Sequence, residues 1–208
     1  MQPDLLSVPA PQYVAGVDAA GRGPRAGPVY AAAVILDPAR GISGIADSKQ
    51  LSARARQRLA AEIKAHALAW AVARVDNLEI DRINILNASL AAMVLAVESL
   101  KITPQLALVD GAICPHLGCE VRAVVRGDAS VASIGAASIL AKVSRDEEME
   151  RMELEYPGYG FARHKGYPTA EHLAALTRLG TCPIHRRSFA PVRQQLARDT
   201  TADGSHAG

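Results

Sequence analysis

The sequence predicts an α/β domain in which helices cover a mixed sheet. Apolar runs of strand length come first in the chain, and later runs alternate with helical patterns. Strands joined by helices cross over and pair in parallel, whereas strands joined by short turns pair antiparallel. With 208 residues, of which 49% are hydrophobic, the chain is long and apolar enough for a single domain with a large core.

Five apolar runs are predicted to form strands, over residues 13–18, 28–36, 68–75, 106–109 and 121–125. The second run is apolar without interruption, which is typical of a central strand. The first three strands are compatible with an antiparallel meander, although a helix separates the second from the third.

The helices are predicted from their capping residues and from their apolar pattern. Ser52 and Thr169 are expected to be N-caps, because a hydroxyl oxygen accepts a hydrogen bond from the first turn of a helix. Helices are therefore predicted after these two residues, and three more are predicted over 83–100, 130–155 and 189–198.

The domain is expected to span residues 13–199. The segment 1–12 is rich in proline and is expected to be flexible, and the polar tail 200–208 is expected to be disordered. Neither a signal peptide nor an apolar run of about 20 residues is recognised, so no membrane association is predicted.

The net charge of +2 hides an uneven distribution of charge. The segment 163–198 carries seven cations against one glutamate: Arg163, Lys165, Arg178, Arg186, Arg187, Arg193 and Arg198 against Glu171. A basic segment beside an acidic centre suits a polyanionic substrate, and the alternative is an ordinary solvated face.

Three cysteines form an odd set without the spacing of a disulfide framework, which favours a reducing, cytoplasmic location. Cys114 and Cys119 lie near His116, but no fourth zinc ligand stands at a recognised spacing.

Carboxylates are the candidate catalytic groups. Asp18 follows the first apolar run, Asp110 follows the fourth, and Asp128 opens a helix rich in small residues. Acids from separate strand ends can converge at one edge of a sheet, where they repel one another unless a cation lies between them. Mg²⁺ and Mn²⁺ take oxygen ligands. The sequence therefore predicts a metal-dependent acidic centre, with Asp146 as a further candidate.

Two segments are predicted to hold a nucleic acid beside the acids. Gly21-Arg22-Gly23 follows Asp18; glycines allow a close backbone approach, and the arginine can bind phosphate. The segment 161–169 interleaves cations with aromatic residues, which stack on bases or sugars. A plain turn also explains the first segment.

His164 and His185 are rival candidates for a general base. A metal ion can lower the pKa of bound water, so a metal-dependent mechanism requires no histidine.

Taken together, the motifs resemble those of bacterial ribonuclease HII, the type 2 ribonuclease H that cuts RNA strands paired with DNA. The matching segments occur in family order and at family spacing: Gly16-Val17-Asp18 through Pro28, Asp47-Ser48-Lys49 with Leu51-Ser52, Val109-Asp110-Gly111, Gly127-Asp128 through Asp146, Tyr156-Pro157 through Thr169, and Arg186-Arg187-Ser188-Phe189.

The resemblance implies a ribonuclease H-like fold, with a mixed five-stranded sheet flanked by helices and a small C-terminal helical extension. It implies a monomeric enzyme of ribonucleotide excision repair that cuts RNA–DNA hybrids, and duplex DNA containing a ribonucleotide. The cut falls on the 5′ side of the ribonucleotide, and two Mn²⁺ or Mg²⁺ ions are the implied cofactors.

Residue by residue, the resemblance assigns Asp18, Asp110 and Asp128 to three of the four metal-binding acids of the family, and it gives Asp146 a structural role. The Gly21-Arg22-Gly23 loop matches the segment that reads the 2′-hydroxyl, the group that distinguishes RNA from DNA.

Tyr167 matches the tyrosine that packs on the next deoxyribose. The candidates for phosphate contacts are Ser48, Lys49, Lys142, Arg145, Lys165, Arg186 and Arg187.

One position departs from the family pattern. The fourth metal-binding acid of the family is a glutamate directly after the first aspartate, and here that position is Ala19. A methyl group cannot ligate a metal, so we expect weak metal binding and impaired cleavage with recognition retained. Two origins fit: a substitution made to trap substrate, or a natural variant.

Two other functions remain open at this point. One is a non-catalytic module that binds hybrids. The other is a different metal nuclease of the same fold, such as a resolvase or an integrase core, although such a protein has no reason to combine Gly21-Arg22-Gly23 with Tyr167.

Overall fold

The structure, a computed structural model, describes residues 11–45 and 51–204, with side chains up to residue 198. The strands are β1 (Val14–Ala20), β2 (Val29–Ile35), β3 (Ala69–Val75), β4 (Leu106–Asp110) and β5 (Glu120–Val124). The helices are α1 (Ala53–His66), α2 (Asn77–Glu98), α3 (Gly127–Ser130), α4 (Ala132–Glu155), α5 (Phe161–His164), α6 (Ala170–Leu179) and α7 (Ala190–Gly204).

The five strands form one mixed sheet in the order β3-β2-β1-β4-β5. The first three strands pair antiparallel, which confirms the predicted meander, and β4 and β5 continue in parallel from β1. Every residue of β2 is buried, as expected for a central strand.

Two long helices cover opposite faces of this sheet. One face packs against α2 through Val17, Ala31 and Val109, and the other packs against α4 through Ala32 and Val34. These alternating positions follow from the two-residue period of a strand.

Gly16 allows α4 to lie directly on β1. A Cβ atom at this position would lie 2.0 Å from the backbone carbon of Ser133. The buried small residues Ala136, Ala137 and Ala141 continue the same close contact along α4. Small side chains therefore bring this helix against the sheet, as the sequence predicts.

Both predicted caps are confirmed. Ser52 Oγ accepts a hydrogen bond from Ala55 N (3.2 Å), and Thr169 Oγ1 accepts one from His172 N (3.2 Å).

Several predicted boundaries are wrong. The strand β1 continues to Ala20, so Asp18 lies within it rather than at its end. The helix predicted from residue 130 is broken at Val131, whose extended backbone separates α3 from α4. The last helix continues to Gly204, beyond the predicted start of a disordered tail.

The helix α2 begins at Asn77, six residues before its predicted start, because Asp76 caps it. A left-handed residue, Asn84 (φ 67°), interrupts it, and Asn84 Oδ1 accepts hydrogen bonds from Leu86 N and Asn87 N. Asn84 thus acts as an internal cap for the second part of the helix.

Within the described residues, α2 is the one helix that is long and apolar enough to cross a membrane. Such a length and composition are also found in the core helix of an α/β domain, and α2 packs across β2 and β3 here.

The helices α5, α6 and α7 form the C-terminal extension. It has its own apolar cluster, which includes Ala26, Met149, Tyr159 and Phe161. Ala26 also forms a β-bridge with His185, so the extension is attached to the segment that follows β1.

Candidate active site

The register of β1 and β4 places two of the predicted acids side by side. Val17 pairs with Val109 in parallel, so Asp18 and Asp110 come next on neighbouring strands. In-register residues of neighbouring strands lie on the same face of a sheet. Both carboxylates are therefore on the face that α4 covers.

The third acid, Asp128, is held near the same edge by a hydrogen bond from the backbone of the preceding residue to the Asp110 carboxylate. Gly127 N donates to Asp110 Oδ1 at 2.8 Å, which fixes the start of α3 against the end of β4. Asp128 is buried, with an exposed fraction of 6%. It borders a cleft of about 260 Å³ between the loop after β2 and the start of α4, lined also by Ile42, Gly44, Ile45, Ala129, Ser130, Val131 and Ala132.

The carboxyl group of Asp18 has a perturbed acidity. Its pKa is raised from 3.8 to about 7, mainly by burial and also by the nearby charges of Asp110 and Asp128, against the opposing effect of hydrogen bonds from Ser138 and Ala19 N. The Ala19 N–H donates to Asp18 Oδ1 at 2.6 Å. This edge of the sheet is thus a place where negative charge is unfavourable without a cation.

The chemistry of the three side chains fits a hard divalent ion, since all their donor atoms are carboxylate oxygens. Their arrangement is incomplete, however: among the residues that the structure describes, no group of three His, Cys, Asp or Glu side chains is placed to hold a metal ion by itself. Mg²⁺ is commonly bound by one or two carboxylates together with substrate phosphates, so an open set of acids is consistent with such an ion. Asp18, Asp110 and Asp128 are the side chains that would hold it.

Ala19 projects away from these acids. It is half-buried and packs against the cluster on the α2 face, which contains Val17 and Ala31. Ala19 itself contributes no oxygen ligand. Among the described residues, the site therefore has the three carboxylates of Asp18, Asp110 and Asp128, and position 19 adds no fourth.

Gly21-Arg22-Gly23 follows β1 directly, and its conformation depends on glycine. Gly21 is buried with φ of 95°, and a Cβ atom there would lie 2.1 Å from Arg145 Nε. Arg22 and Gly23 are exposed. The loop thus presents its second and third residues to solvent while its first is packed against an arginine.

Two predicted phosphate contacts are wrong, because Arg145 and Arg186 are buried at 1% and 0% exposure. Arg145 donates to the carbonyl oxygens of Ala26 and Pro28. Arg186 donates to five carbonyl oxygens of the segment after β1, those of Gly21, Arg22, Pro24, Gly27 and Pro28. Both guanidinium groups therefore hold the loop in shape from behind and do not reach a substrate.

The pKa of Arg186 is lowered to about 9, first by burial and then by the neighbouring charge of Arg145. Burial also lowers the pKa of Arg145. The spacing of basic residues along the sequence does not distinguish these two buried cations from cations on the surface.

Tyr167 lies beside the exposed end of the glycine loop. The side chain is 44% exposed, and a Cβ atom at Gly23 would lie 3.4 Å from Tyr167 Cε1. The structure thus brings together the two segments that the sequence analysis assigned to nucleic-acid recognition.

The other candidates for phosphate contacts differ in their environment. Lys142 Nζ pairs with Asp146 (2.5 Å), and Lys165 Nζ pairs with Glu150 (2.7 Å). Arg187 is exposed. Ser48 and Lys49 lie outside the described residues.

Asp146 also lies 4.0 Å from Arg56, so this acid participates in ion pairs on α4. These contacts agree with the structural role that the resemblance assigned to it.

A general-base role for His164 or His185 is contradicted by the structure. Their exposed fractions are 9% and 1%. Both ring nitrogens of His164 have partners, in Tyr159 O and Gly166 N. The pKa of His185 is lowered to about 4, first by burial and then by the neighbouring His172. Neither imidazole can reach a solvent-borne substrate.

Sequence reasoning missed Asp81, which organises the exposed turn around Arg187. Its carboxylate accepts hydrogen bonds from Arg187 N (2.8 Å), Ser188 N (2.9 Å) and Ser188 Oγ (2.6 Å). Asp81 lies on α2 and its partners are more than 100 residues away, so no local pattern indicates the contact.

The raised pKa of Asp18 gives a prediction for metal-free protein. The folded state holds a proton between pH 3.8 and about 7 that the unfolded state releases, so this group lowers stability progressively as the pH rises through that range. Such a shift corresponds to roughly 4 kcal/mol at full burial, and to about half of that for a half-buried side chain.

We therefore expect Asp18→Asn to raise the free energy of unfolding at pH 8 and to leave it nearly unchanged at pH 4. Urea unfolding in a chelator at the two pH values measures this difference, with Asp37→Asn as the control for the loss of one negative charge. An equal effect of Asp18→Asn at both pH values would contradict the assigned acidity.

A sheet of this order, with acids at adjacent positions of its first and fourth strands and a helix lying on both, defines a ribonuclease H-like α/β protein with carboxylates whose chemistry suits a divalent ion. Three comparisons then identify the family. Residues 15–192 match the family model of ribonuclease HII. The chain is 62% identical over 185 residues to the ribonuclease HII of Nitrosococcus oceani, across 89% of this chain and 92% of that protein.

It is 60% identical over 182 residues to the ribonuclease HII of Bordetella avium, across 88% and 90% of the two chains. Among solved structures, ribonuclease H2 from Pyrococcus horikoshii matches with a TM-score of 0.76 at 31% identity, across 90% of this chain and 98% of that one. The chain therefore belongs to the ribonuclease HII family. It is a type 2 ribonuclease H, a hydrolase with endonuclease activity that acts on nucleic acid.

Proposed function

We propose that the chain cuts the RNA strand of RNA–DNA hybrids, and duplex DNA at a single embedded ribonucleotide, on the 5′ side of that ribonucleotide. The products carry a 3′-hydroxyl and a 5′-phosphate. The observation that carries this proposal is the position of the Tyr167 ring beside Gly23, where an added Cβ atom would touch it, on the loop that continues from the strand of Asp18.

The glycine loop is the reader of the ribonucleotide in this proposal. Exposed Gly23 and Arg22 leave backbone and guanidinium donors available to a sugar and its phosphate. A 2′-hydroxyl is both donor and acceptor, and it is the group by which a protein distinguishes RNA from DNA. Arg145 and Arg186 support this role by holding the carbonyl groups of the loop from the buried side.

Tyr167 is the reader of the next sugar. Its exposed ring offers an apolar face that suits a deoxyribose, and an additional hydroxyl would be crowded there. A preference for an RNA–DNA junction requires the protein to recognise a ribose and the deoxyribose that follows it.

Asp18, Asp110 and Asp128 hold the divalent cofactor in this proposal, as Mn²⁺ or Mg²⁺. Two such ions, when bound, supply an activated water and stabilise the leaving 3′-oxygen. The three carboxylates lie beside the glycine loop, so a phosphate bound through the ions would lie next to that loop. Burial makes the negative charge of Asp18 unfavourable unless a cation is bound nearby.

Ala19 impairs this activity in the proposal, because one oxygen ligand of the family pattern is missing. The competing function is hybrid binding without catalysis. The absence of a metal ligand at position 19 also supports this alternative. We also propose a reducing location such as the cytoplasm, in keeping with the free Cys114, Cys119 and Cys182, and a monomeric state for either function.

A cleavage assay separates the two functions. A labelled duplex with one ribonucleotide is incubated with the chain and Mn²⁺, beside an all-DNA duplex of the same sequence. A nick 5′ of the ribonucleotide that a chelator abolishes supports the nuclease. Binding of the first duplex without any nick at high protein concentration supports the hybrid-binding protein.

Tyr167 gives a prediction about selectivity. Removing an aromatic ring that stacks on a nucleotide costs about 1–3 kcal/mol. We therefore expect Tyr167→Ala to lower cleavage of the single-ribonucleotide duplex by about tenfold relative to cleavage of a uniform hybrid.

Tyr167→Phe is the matched control, since it retains the ring and loses only the hydroxyl. An equal loss on both substrates in Tyr167→Ala would show that the ring has no part in junction preference.

A further inference from the structure

Tyr167 is presented by a strained turn. The two residues before it, Lys165 and Gly166, have left-handed backbones with φ of 52° and 78°. The turn is closed by hydrogen bonds to His164, whose carbonyl accepts from Tyr167 N (2.9 Å) and whose Nδ1 accepts from Gly166 N (3.1 Å). A lysine in a left-handed conformation is unfavourable, so neighbouring contacts must stabilise the turn.

Three buried histidines lie behind this turn. His172 and His185 are each 1% exposed, and His164 is 9% exposed. The rings of His164 and His172 are stacked, with centroids 4.5 Å apart and planes within 12°. His172 Nε2 and His185 Nε2 are 3.2 Å apart, which is a hydrogen bond between two imidazoles. None of the three is used by the proposed cleavage mechanism.

The hydrogen bonds determine which nitrogen of each ring carries the proton. Cys182 N–H donates to His185 Nδ1 at 2.9 Å, so the proton of neutral His185 is on Nε2. That proton is donated to His172 Nε2, and the proton of His172 is therefore on Nδ1. His172 Nδ1 then donates to the carbonyl oxygen of Tyr167 at 2.9 Å.

The reverse direction fits less well. It would place a hydrogen on His185 Nδ1, whose acceptors would be Cys182 O at 3.3 Å and the weak acceptor Cys182 Sγ at 3.0 Å, and that hydrogen would oppose the Cys182 N–H at 2.9 Å. Burial lowers the pKa of both His172 and His185, so both rings are neutral and share one hydrogen between their Nε2 atoms.

We propose that His172 is a positioning residue that holds the carbonyl group of Tyr167, so that the Tyr167 ring stays over Gly23, and that His185 fixes the tautomer that allows this. The inference rests on the proposed function, because it takes Tyr167 as the reader of the deoxyribose at the junction.

Backbone contacts join both ends of this series of hydrogen bonds, at His185 and at the tyrosine turn, to the segment that follows the glycine loop. His185 forms a β-bridge with Ala26, and Gly166 O accepts a hydrogen bond from Arg25 N at 2.7 Å. The loop and the tyrosine turn therefore share one buried support, and a shift of His172 changes the spacing between them.

Two polar substitutions of His172 test this role, because each retains one of its two contacts. His172→Asn has an amide nitrogen close to the position of Nδ1 and keeps a donor for Tyr167 O. His172→Gln can place its amide oxygen close to the position of Nε2, where that oxygen accepts the hydrogen bond from His185 Nε2, but it loses the donor to Tyr167 O. The two variants have similar polarity, so we expect their melting temperatures to lie within a few degrees of each other, which allows a direct comparison.

The first measurement does not depend on activity. In the imidazole ¹⁵N spectrum we expect protonated Nδ1 in His172 and protonated Nε2 in His185. The nuclear Overhauser contact between the Tyr167 ring and Gly23 is expected in the wild type and in His172→Asn, and is expected to weaken in His172→Gln. Reversed tautomers, or an unchanged contact in His172→Gln, overturn the proposal whether or not the chain cleaves junctions.

The second measurement is the ratio of cleavage of the single-ribonucleotide duplex to cleavage of a uniform hybrid. A neutral hydrogen bond corresponds to about a fivefold change, so we expect that ratio to fall about fivefold in His172→Gln and to stay near the wild-type ratio in His172→Asn. Equal ratios in the two variants overturn the role of His172. A wild type without junction preference, but with the expected tautomers and ring contact, instead contradicts the proposed function and retains the positioning role.

Discussion

Replacing Ala19 by glutamate is expected to raise Mn²⁺-dependent cleavage of a ribonucleotide-containing duplex by at least roughly 10–100-fold. That range is the usual loss when a residue that supports a metal ligand is removed, and the loss of a ligand itself should be no smaller. The reason is chemical, since a carboxylate supplies the oxygen ligand that the methyl group of Ala19 cannot.

The position of Ala19 makes this a demanding test. Alternation along β1 directs the side chains of Asp18 and Ala19 to opposite faces of the sheet. Ala19 is half-buried and lies one residue before the end of the strand. A glutamate there must extend past the strand end to reach Asp18 and Asp110, and its three rotatable bonds allow that reach.

Ala19→Gln is the matched control, because it has nearly the same size and torsional freedom but no negative charge. Cleavage that rises in Ala19→Glu and not in Ala19→Gln identifies a missing carboxylate ligand. If both folded variants cleave as slowly as the wild type, the explanation of impaired activity by Ala19 is wrong.

Replacing Arg186 by methionine is expected to lower the free energy of unfolding by about 3–5 kcal/mol. Its guanidinium group is fully buried and donates to five carbonyl oxygens of the loop after β1. Hydrogen bonds to charged groups contribute about 1.5–3 kcal/mol each, and acceptors left unsatisfied in the interior add a penalty. The expected loss is smaller than the sum, because burying a cation is itself costly.

The neighbouring Arg187 provides the control, since its side chain is exposed. Arg187→Met should change the free energy of unfolding by less than about 0.5 kcal/mol and reduce the salt dependence of nucleic-acid binding by about one unit of slope. Urea unfolding and binding at several salt concentrations measure both effects. Similar stability losses in the two variants would contradict the structural role of Arg186.

The sheet was predictable because its strands differ in length and burial in ways that the sequence shows. The uninterrupted apolar run of β2 indicated a central strand, and Ser52 and Thr169 marked helix starts through their hydroxyl groups. The break at Val131 and the internal cap at Asn84 were missed, because a single residue with a non-helical backbone leaves no change of apolar period.

The candidate site was predictable in its acids and less so in its cations. Asp110 follows an apolar strand, which is a local signal, and the parallel pairing of β1 with β4 then brings it beside Asp18. Arg186 and Arg187 are adjacent in sequence and were given the same role, yet one is buried and the other is exposed. Burial of a cation depends on carbonyl groups more than 150 residues away, and no local pattern records them.

The most direct test of the central claim, that three carboxylates at one sheet edge form a divalent-metal centre, is Mn²⁺ binding to the isolated chain, followed by electron paramagnetic resonance. The wild type should bind Mn²⁺ at pH 8, and its affinity should weaken progressively as the pH falls below about 7, since protons then compete for Asp18. Asp110→Asn should weaken binding at pH 8 by about tenfold or more. Unchanged Mn²⁺ affinity in a folded Asp110→Asn protein would contradict the claim.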